Sequence, residues 1–144
     1  MNRPLRYPLT VFYDASCPMC ANEMHALKAL DGGGRLELVD CSAPDFDEGV
    51  LGREDLTRAA LMARIHARDA DGRWLAAIDV YEATYRAVGL ETPARIWGHR
   101  LLKPLWSALY PIVADNRQLL SRLGAGRLMQ WLIPKRACGV RELR

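Results

Sequence analysis

The sequence has no long hydrophobic run. Half of its 144 residues are hydrophobic, yet no segment reaches the roughly 18 consecutive apolar residues that a membrane-spanning helix needs. The first residues contain only a short apolar run, interrupted by Thr10, and show no secretion signal. We therefore expect a cytoplasmic protein of one domain, with enough apolar side chains for a core that needs no disulfide support.

Cysteine is scarce as well: the chain has Cys17, Cys20, Cys41 and Cys138. In a chain of this size without a secretion signal, four cysteines indicate thiols rather than a disulfide framework. A structural zinc site needs four ligands, and no second pair with metal-ligand spacing accompanies Cys17 and Cys20. A metal site would have to draw its remaining ligands from Cys41, Cys138, His25, His66 and His99.

The net charge is small but unevenly distributed. Residues 1–92 carry 10 Lys/Arg against 15 Asp/Glu, whereas residues 93–144 carry 10 against 2. A basic segment can contact nucleic acid or an anionic membrane. The basic residues lie at helix-like spacing, however, which favours a solvated helical face. A nucleic-acid partner is not expected, and a membrane-surface contact through basic C-terminal helices stays open as an alternative.

The hydrophobic pattern predicts alternating strands and helices without repeats or linkers. A βαβ unit comes first, because two short apolar strands flank a helix that ends before three glycines. A β-hairpin and a further helix follow, and the chain is helical beyond Pro93, with Pro104 and Pro111 expected to break or kink it. The predicted elements are strand 9–13, helix 18–30, strand 36–40, loop 42–52, helix 54–61, strand 62–67, turn 69–72, strand 73–77, helix 78–88, and a last helical stretch 116–133.

This order predicts a thioredoxin-like α/β fold with a mixed sheet and a dithiol at the first strand-to-helix junction. We expect residues 1–144 to form a single domain, with residues 93–144 as a helical extension packed on it.

The strongest chemical signal is the Cys-Pro-Met-Cys motif from Cys17 to Cys20. Cys17 is predicted at the helix N-cap and Pro18 at the first helical position, where proline loses no hydrogen bond. Unpaired amides and the positive end of the helix dipole stabilise a thiolate there. We therefore predict that Cys17 is the attacking thiol. Cys20, one turn further along and expected to be more buried, would resolve a mixed disulfide on Cys17.

Asp14 lies three residues before Cys17, at the end of the first strand. Its carboxylate could exchange a proton with Cys20, although a nearby negative charge would also disfavour thiolates. Alternatively, it caps the turn through its side chain. The sequence favours neither role over the other.

The segment Phe-Tyr-Asp-Ala-Ser-Cys-Pro-Met-Cys, residues 12–20, resembles the opening Asp-x-x-Cys-x-x-Cys signature of the DCC family of predicted thiol–disulfide oxidoreductases. Residues 64–73 and 110–117 are similar to the family's middle hairpin and to its Tyr-x-x-x-Ala-x-Asn-Arg segment. The resemblance spans most of the chain. It implies a thioredoxin-like fold and a redox role, with Asp14, Cys17 and Cys20 as the matching site residues.

Two features depart from well-characterised thioredoxins. The site lacks the Trp-Cys-Gly-Pro-Cys sequence, and no proline precedes the strand predicted to begin near Met62. In thioredoxins, a cis-proline there faces the dithiol and discourages metal binding. Leu61 or Met62 is expected in its place, which predicts a different substrate groove or a latent metal site.

Other candidate residues have structural explanations that we prefer. Cys41 and Cys138 are expected to be buried thiols rather than redox partners, and His25 a surface residue. Asn116 and Arg117 are expected to form a cap and a packing salt bridge, rather than to bind an anion. The aromatic residues of the C-terminal half, at helical spacing, are expected in the core; they are Trp97, Trp106, Tyr110 and Trp131.

The sequence therefore favours an enzyme that exchanges a Cys17–Cys20 disulfide with a protein or small-molecule thiol or disulfide, with no cofactor beyond that disulfide. A metal- or cofactor-binding module using the same cysteines is one alternative. An interaction protein that docks through its basic C-terminal helices is another. The sequence sets neither the direction of electron flow nor the oligomeric state.

Overall fold

A computed structural model describes residues 4–124 of the chain. Over this range the protein has four strands and five α-helices, together with a short 3-10 helix at Glu48–Leu51. The elements are, in order, β1 Leu9–Tyr13, α1 Pro18–Ala29, β2 Leu36–Asp40, α2 Arg58–Ala63, β3 His66–Arg68, β4 Trp74–Ala76, α3 Ile78–Ala87, α4 Glu91–Gly98 and α5 Lys103–Arg122.

The strands form one mixed sheet in the order β2-β1-β3-β4. β1 and β2 are parallel, with Leu9 opposite Leu36, and α1 makes the crossover between them. β3 is antiparallel to both β1 and β4, so the second half of the sheet is the predicted hairpin. This mixed sheet with its helices is the predicted thioredoxin-like α/β fold.

β1 is the central strand of the core. Val11 and Tyr13 pack on the side of α1 and α3, while Phe12 packs on the other side with Leu51 and Leu61. A strand covered on both faces needs consecutive apolar residues rather than strict alternation, and β1 has them. Its predicted bounds are confirmed, as are those of β2.

The predicted boundary between the short helix and the third strand is wrong. Met62 and Ala63 belong to α2, and the chain turns extended only at Arg64, so that β3 starts at His66. Apolar and polar residues alternate from Met62 onward, and this pattern predicted a strand. Its first residues instead form the last turn of α2. Leu61 and Met62 therefore do not directly precede β3 as predicted; Ile65 does.

The predicted break at Pro104 is confirmed, because residues 99–102 interrupt the helical stretch between α4 and α5 just before it, whereas no break occurs at Pro111. Pro104 lies in the first turn of α5, where proline is tolerated. Pro111 lies inside α5, which continues through it to Arg122, past the predicted helix start at Asn116. An interior proline removes one helical hydrogen bond, and contacts of Tyr110 and Arg117 with the rest of the protein hold the helix on either side of it.

Candidate active site

The dithiol lies where β1 passes into α1. Cys17 is the N-cap of α1, with extended backbone angles and Pro18 in the first turn, as predicted. No side chain caps this helix end, and the Cys17 carbonyl accepts the amide of Ala21 at 2.9 Å. The positive end of the helix dipole and the unpaired first-turn amides therefore lie beside Cys17.

The burial of the two cysteines is the reverse of the prediction. Cys17 is 0% exposed, whereas Cys20 is partly exposed and lines a pocket. Tertiary packing decides which of the two cysteines is exposed. It encloses Cys17 at the strand-to-helix turn, whereas Cys20, in the first turn of α1, lies at the pocket wall. Both cysteines are free thiols in the structure.

The Cys20 thiol is held in its protonated form. Burial is the main cause that raises the pKa of Cys20 well above the ordinary value of a thiol. A hydrogen bond with the Cys17 side chain and the charge of Cys17 raise it further, while Arg117 lowers it.

Asp14 caps the turn and forms an ion pair. Its Oδ1 accepts the amide and hydroxyl of Ser16 at 2.9 and 2.5 Å, and its Oδ2 accepts the guanidinium of Arg117 at 2.7 Å. The predicted turn cap is therefore confirmed. The carboxylate is buried, at 3% exposure of the residue, and its charge raises the pKa of Cys20 as a minor contribution.

Arg117 comes from the middle of α5 and reaches across to the start of the site. Besides Asp14, it donates a hydrogen bond to the carbonyl of Met62. The predicted salt bridge is thus confirmed, but the predicted cap is wrong: Asn116 lies inside α5 and donates to the carbonyl of Ile112 at 2.8 Å. The sequence predicted a salt bridge for Arg117 but could not identify its partner, because Asp14 lies 103 positions away in the sequence.

An apolar pocket of about 210 Å³ lies between α1 and the C-terminal helices, next to Cys20. Its walls include three of the aromatic residues that were expected in the core, Trp97, Trp106 and Tyr110, and all three are half-buried. The fourth, Trp131, lies outside the described residues. Trp97 and Tyr110 pack against the main core cluster, as expected, and together with Trp106 they also border the pocket.

Glu23 is a pocket residue that the sequence analysis missed. It lies three positions after Cys20 on α1, a spacing that brings two side chains to the same helix face. This spacing could have indicated from the sequence that Glu23 lies near Cys20. The residue is 4% exposed, and its Oε1 accepts the hydroxyl of Tyr85 at 3.0 Å. Burial raises the pKa of Glu23 to about 7, although the Tyr85 hydrogen bond lowers it.

The remaining predicted candidates lie away from the pocket. His25 is exposed, as predicted, and its ring contacts the Tyr13 hydroxyl at 2.9 Å. Cys41 is buried with Phe12 and Leu61 on the opposite face of the sheet, and burial raises its pKa to about 12. It has the environment of an inert thiol. Cys138 lies outside the described residues.

No group of three or more His, Cys, Asp or Glu residues within residues 4–124 is arranged to hold a metal ion. Asp14, the carboxylate that precedes the dithiol, is already paired with Arg117. Over the same range, no helix combines the length and the apolar composition needed to cross a membrane.

Comparison with known proteins gives one match. A family model described as DCC1-like thiol-disulfide oxidoreductase matches residues 11–123. No curated protein and no solved structure matches the chain significantly. The matched range begins in β1, contains both cysteines, and ends just after α5.

Proposed function

Because the chain belongs to the DCC1-like thiol-disulfide oxidoreductase family, we propose that Cys17 and Cys20 alternate between a dithiol and a disulfide during exchange with a substrate. The observation that carries this proposal is the position of two free thiols one helical turn apart, with Cys17 at the N-cap of α1 and Cys20 in the first turn of that helix. This is the spacing of redox-active Cys-x-x-Cys sites, and the positive end of a helix dipole stabilises a thiolate.

The reaction balances without another cofactor. In the reducing direction, one protein sulfur attacks a substrate disulfide and forms a mixed disulfide, and the second protein sulfur then attacks the first. The protein loses two electrons and forms the Cys17–Cys20 bond, while the substrate is released as two thiols. The opposite direction oxidises two substrate thiols, and the reduction potential decides which direction operates. The partner is a thiol or disulfide, carried by a protein or a small molecule.

Asp14 and Arg117 support the site in this proposal. Asp14 fixes the turn that presents Cys17 and balances the charge of Arg117, whose positive charge lowers the pKa of Cys20 and so assists its ionisation. A proton transfer between Asp14 and Cys20 stays a prediction from the sequence. Both carboxylate oxygens already accept hydrogen bonds, which favours the supporting role.

A redox titration tests the proposal. The protein is equilibrated in dithiothreitol buffers of increasing oxidation, free thiols are trapped with acid and alkylated, and the peptides are identified by mass spectrometry. We expect a two-electron transition that links Cys17 to Cys20 and disappears in Cys17→Ser and Cys20→Ser. Cys41→Ser is the matched control and should leave the transition unchanged. Absence of the bond at every potential would remove the redox function.

A second candidate function rests on exposed apolar side chains of the C-terminal helices. No residue of α5 is buried, and its Leu105, Ile112 and Leu119 are 50%, 61% and 56% exposed. With the nearby arginines, this surface suits contact with an anionic membrane. Co-sedimentation with phosphatidylserine vesicles that is lost at high salt would support it, whereas binding that ignores lipid charge, or no binding, would contradict it. Cytoplasmic location stays a prediction from the sequence.

A further inference from the structure

We propose that the apolar pocket is the substrate site, that it binds a small uncharged thiol or disulfide, and that this substrate exchanges at the sulfur of Cys20. The inference rests on the proposed function. It adds the class of substrate and the sulfur that the substrate meets.

Access to the two sulfurs is unequal. Cys20 lines the pocket, whereas Cys17 is 0% exposed and is not part of the described pocket wall. Disulfide exchange requires the attacking and attacked sulfurs to meet in line, so its rate depends on access to the sulfur concerned. A molecule in the pocket therefore meets Cys20 first. This order is the opposite of the one predicted from the sequence, in which Cys17 attacks the substrate.

The size and lining of the pocket favour a small, flat molecule. Its volume of about 210 Å³ is below the roughly 300–1,000 Å³ of sites for drug-sized ligands. One wall is a set of rings: Tyr81 stacks on Trp97 with centroids 5.2 Å apart, and Trp97 lies 5.4 Å from Trp106. Aromatic faces attract flat apolar groups, and a folded protein segment would not enter this space.

The pocket presents almost no net charge. Three described lining residues, Asp14, Glu23 and Arg117, have side chains that ordinarily carry charge at neutral pH. Raised pKa values keep the other ionisable lining residues uncharged; they are Tyr13, Cys20, Tyr81 and Tyr110. Asp14 and Arg117 neutralise each other at 2.7 Å, and burial, which raises the pKa of Glu23 to about 7, keeps much of that side chain uncharged near neutral pH. A charged substrate would lose its hydration without gaining a partner. The lining therefore discriminates in favour of uncharged substrates.

The exchange step balances at Cys20. A substrate thiol in the pocket loses its proton to solvent as its sulfur attacks Cys20 of the protein disulfide, the Cys17–Cys20 bond breaks, and its electron pair leaves on Cys17 at the N-terminus of α1. A second substrate thiol likewise loses its proton and attacks the substrate sulfur of the mixed disulfide, and Cys20 leaves and takes up a proton. Two substrate thiols become one disulfide, and the protein gains two electrons. The reverse sequence reduces a substrate disulfide. A stabilised thiolate leaves faster. The position of Cys17 at the N-terminus of α1 therefore suits it to be the leaving group when the Cys17–Cys20 bond breaks.

Two aromatic disulfides with the same ring frame test this inference: uncharged dithiodipyridine and the dianionic dithiodinicotinate, which differs from it by one carboxylate on each pyridine ring. Their rates with the reduced protein in a Cys138→Ser background are measured by stopped flow and divided by their rates with a free cysteine peptide. We expect a preference of about tenfold or more for dithiodipyridine, in the range that a pocket can supply. In Cys17→Ser, peptide mapping should place the trapped mixed disulfide on Cys20.

Substitutions on α5 provide the matched controls. Val113→Trp and Leu109→Trp are made separately, and each places a larger side chain in the pocket. Each should lower the rate of reaction with dithiodipyridine by about tenfold. Ile112→Trp, on an exposed neighbour that does not line the pocket, should change the rate less than about twofold. Equal normalised rates for the two disulfides, or insensitivity to both pocket variants, would overturn the inference.

The redox titration of the same variants separates the two proposals. If the Cys17–Cys20 transition persists in Val113→Trp while the rates show no selectivity, the substrate inference fails and the redox function stands. If no Cys17–Cys20 disulfide forms in any variant, the redox function itself fails.

Discussion

Arg117 on α5 donates a hydrogen bond to Asp14 at the end of β1 across 2.7 Å, and this ion pair joins the last described helix to the turn that carries the dithiol. The side chain of Asp14 is 2% exposed and that of Arg117 17%. With neither charge well hydrated, each depends on the other. The pair therefore holds α5 over the pocket and fixes the approach to Cys20.

Removal of Arg117 should destabilise the protein strongly. In Arg117→Ala, Asp14 would stay buried without its partner, and loss of one member of a buried pair costs about 3–5 kcal/mol. Urea unfolding followed by circular dichroism measures the change in the free energy of unfolding. Arg122→Ala, at the exposed end of the same helix, should cost less than about 1 kcal/mol. Equal losses in the two variants would mean that the ion pair is not a stabilising contact.

Glu23 should make stability fall as the pH rises. Burial raises the pKa of Glu23 from 4.5 to about 7, so folding favours the protonated form. Below pH 4.5, Glu23 is protonated in both the folded and the unfolded protein, and its burial does not lower the free energy of unfolding. Between pH 4.5 and about 7 the free energy of unfolding falls as the unfolded protein ionises first, and above about pH 7 the loss is constant. Glu23→Gln retains an acceptor for Tyr85, and should therefore be more stable than the unmodified protein by roughly 3 kcal/mol at alkaline pH.

Urea unfolding at about pH 4, 6 and 8 measures this difference. The advantage of Glu23→Gln should vanish at the lowest of these values. Glu54→Gln, which changes an exposed glutamate, should show no pH-dependent advantage. A constant difference between Glu23→Gln and the unmodified protein at all three values would contradict the assignment.

Cys41 should be unreactive in the folded protein. Burial, followed by the charge of Asp40, raises the pKa of Cys41 to about 12, and the side chain is 0% exposed. Thiolate content and access together control alkylation. Because raised pKa values keep both Cys20 and Cys41 mostly protonated, access decides the order. Iodoacetamide at about pH 8 should modify the partly exposed Cys20 before the buried Cys41, as followed by peptide mapping over time. In urea all thiols should react alike, and native labelling of Cys41 at the rate of Cys20 would contradict the prediction.

Ala77→Gly should stabilise the protein. Ala77 precedes α3 with φ = 52° and ψ = −121°, a region that is costly for any residue with a Cβ. Relief of this strain should exceed the entropic cost of glycine and raise the free energy of unfolding by about 1 kcal/mol. Ala76→Gly, one residue earlier in β4, is the matched control and should lower it by roughly 0.5–1 kcal/mol. Destabilisation by both substitutions would refute the strain.

The sequence by itself determined the local elements of the site. The apolar run of β1, proline in the first turn of α1, and the glycines after it act through neighbouring residues, so β1, α1 and the N-cap position of Cys17 follow from sequence spacing. The turn cap by Asp14 is also a local contact, with its partner two residues away, but the sequence left this role open beside proton exchange with Cys20.

Only the tertiary structure decided which sulfur is accessible and what surrounds it. The pairing of Asp14 with Arg117 and the pocket that includes Glu23 depend on where α5 packs, and Cys17 is fully enclosed in the folded protein. That packing also carries α5 through Pro111, where a local rule predicted a break. Contacts between residues far apart in sequence arise from the complementary shape and charge of whole helices and strands. Residue spacing along the chain predicts helices, strands and turns, but it does not identify which of them pack together.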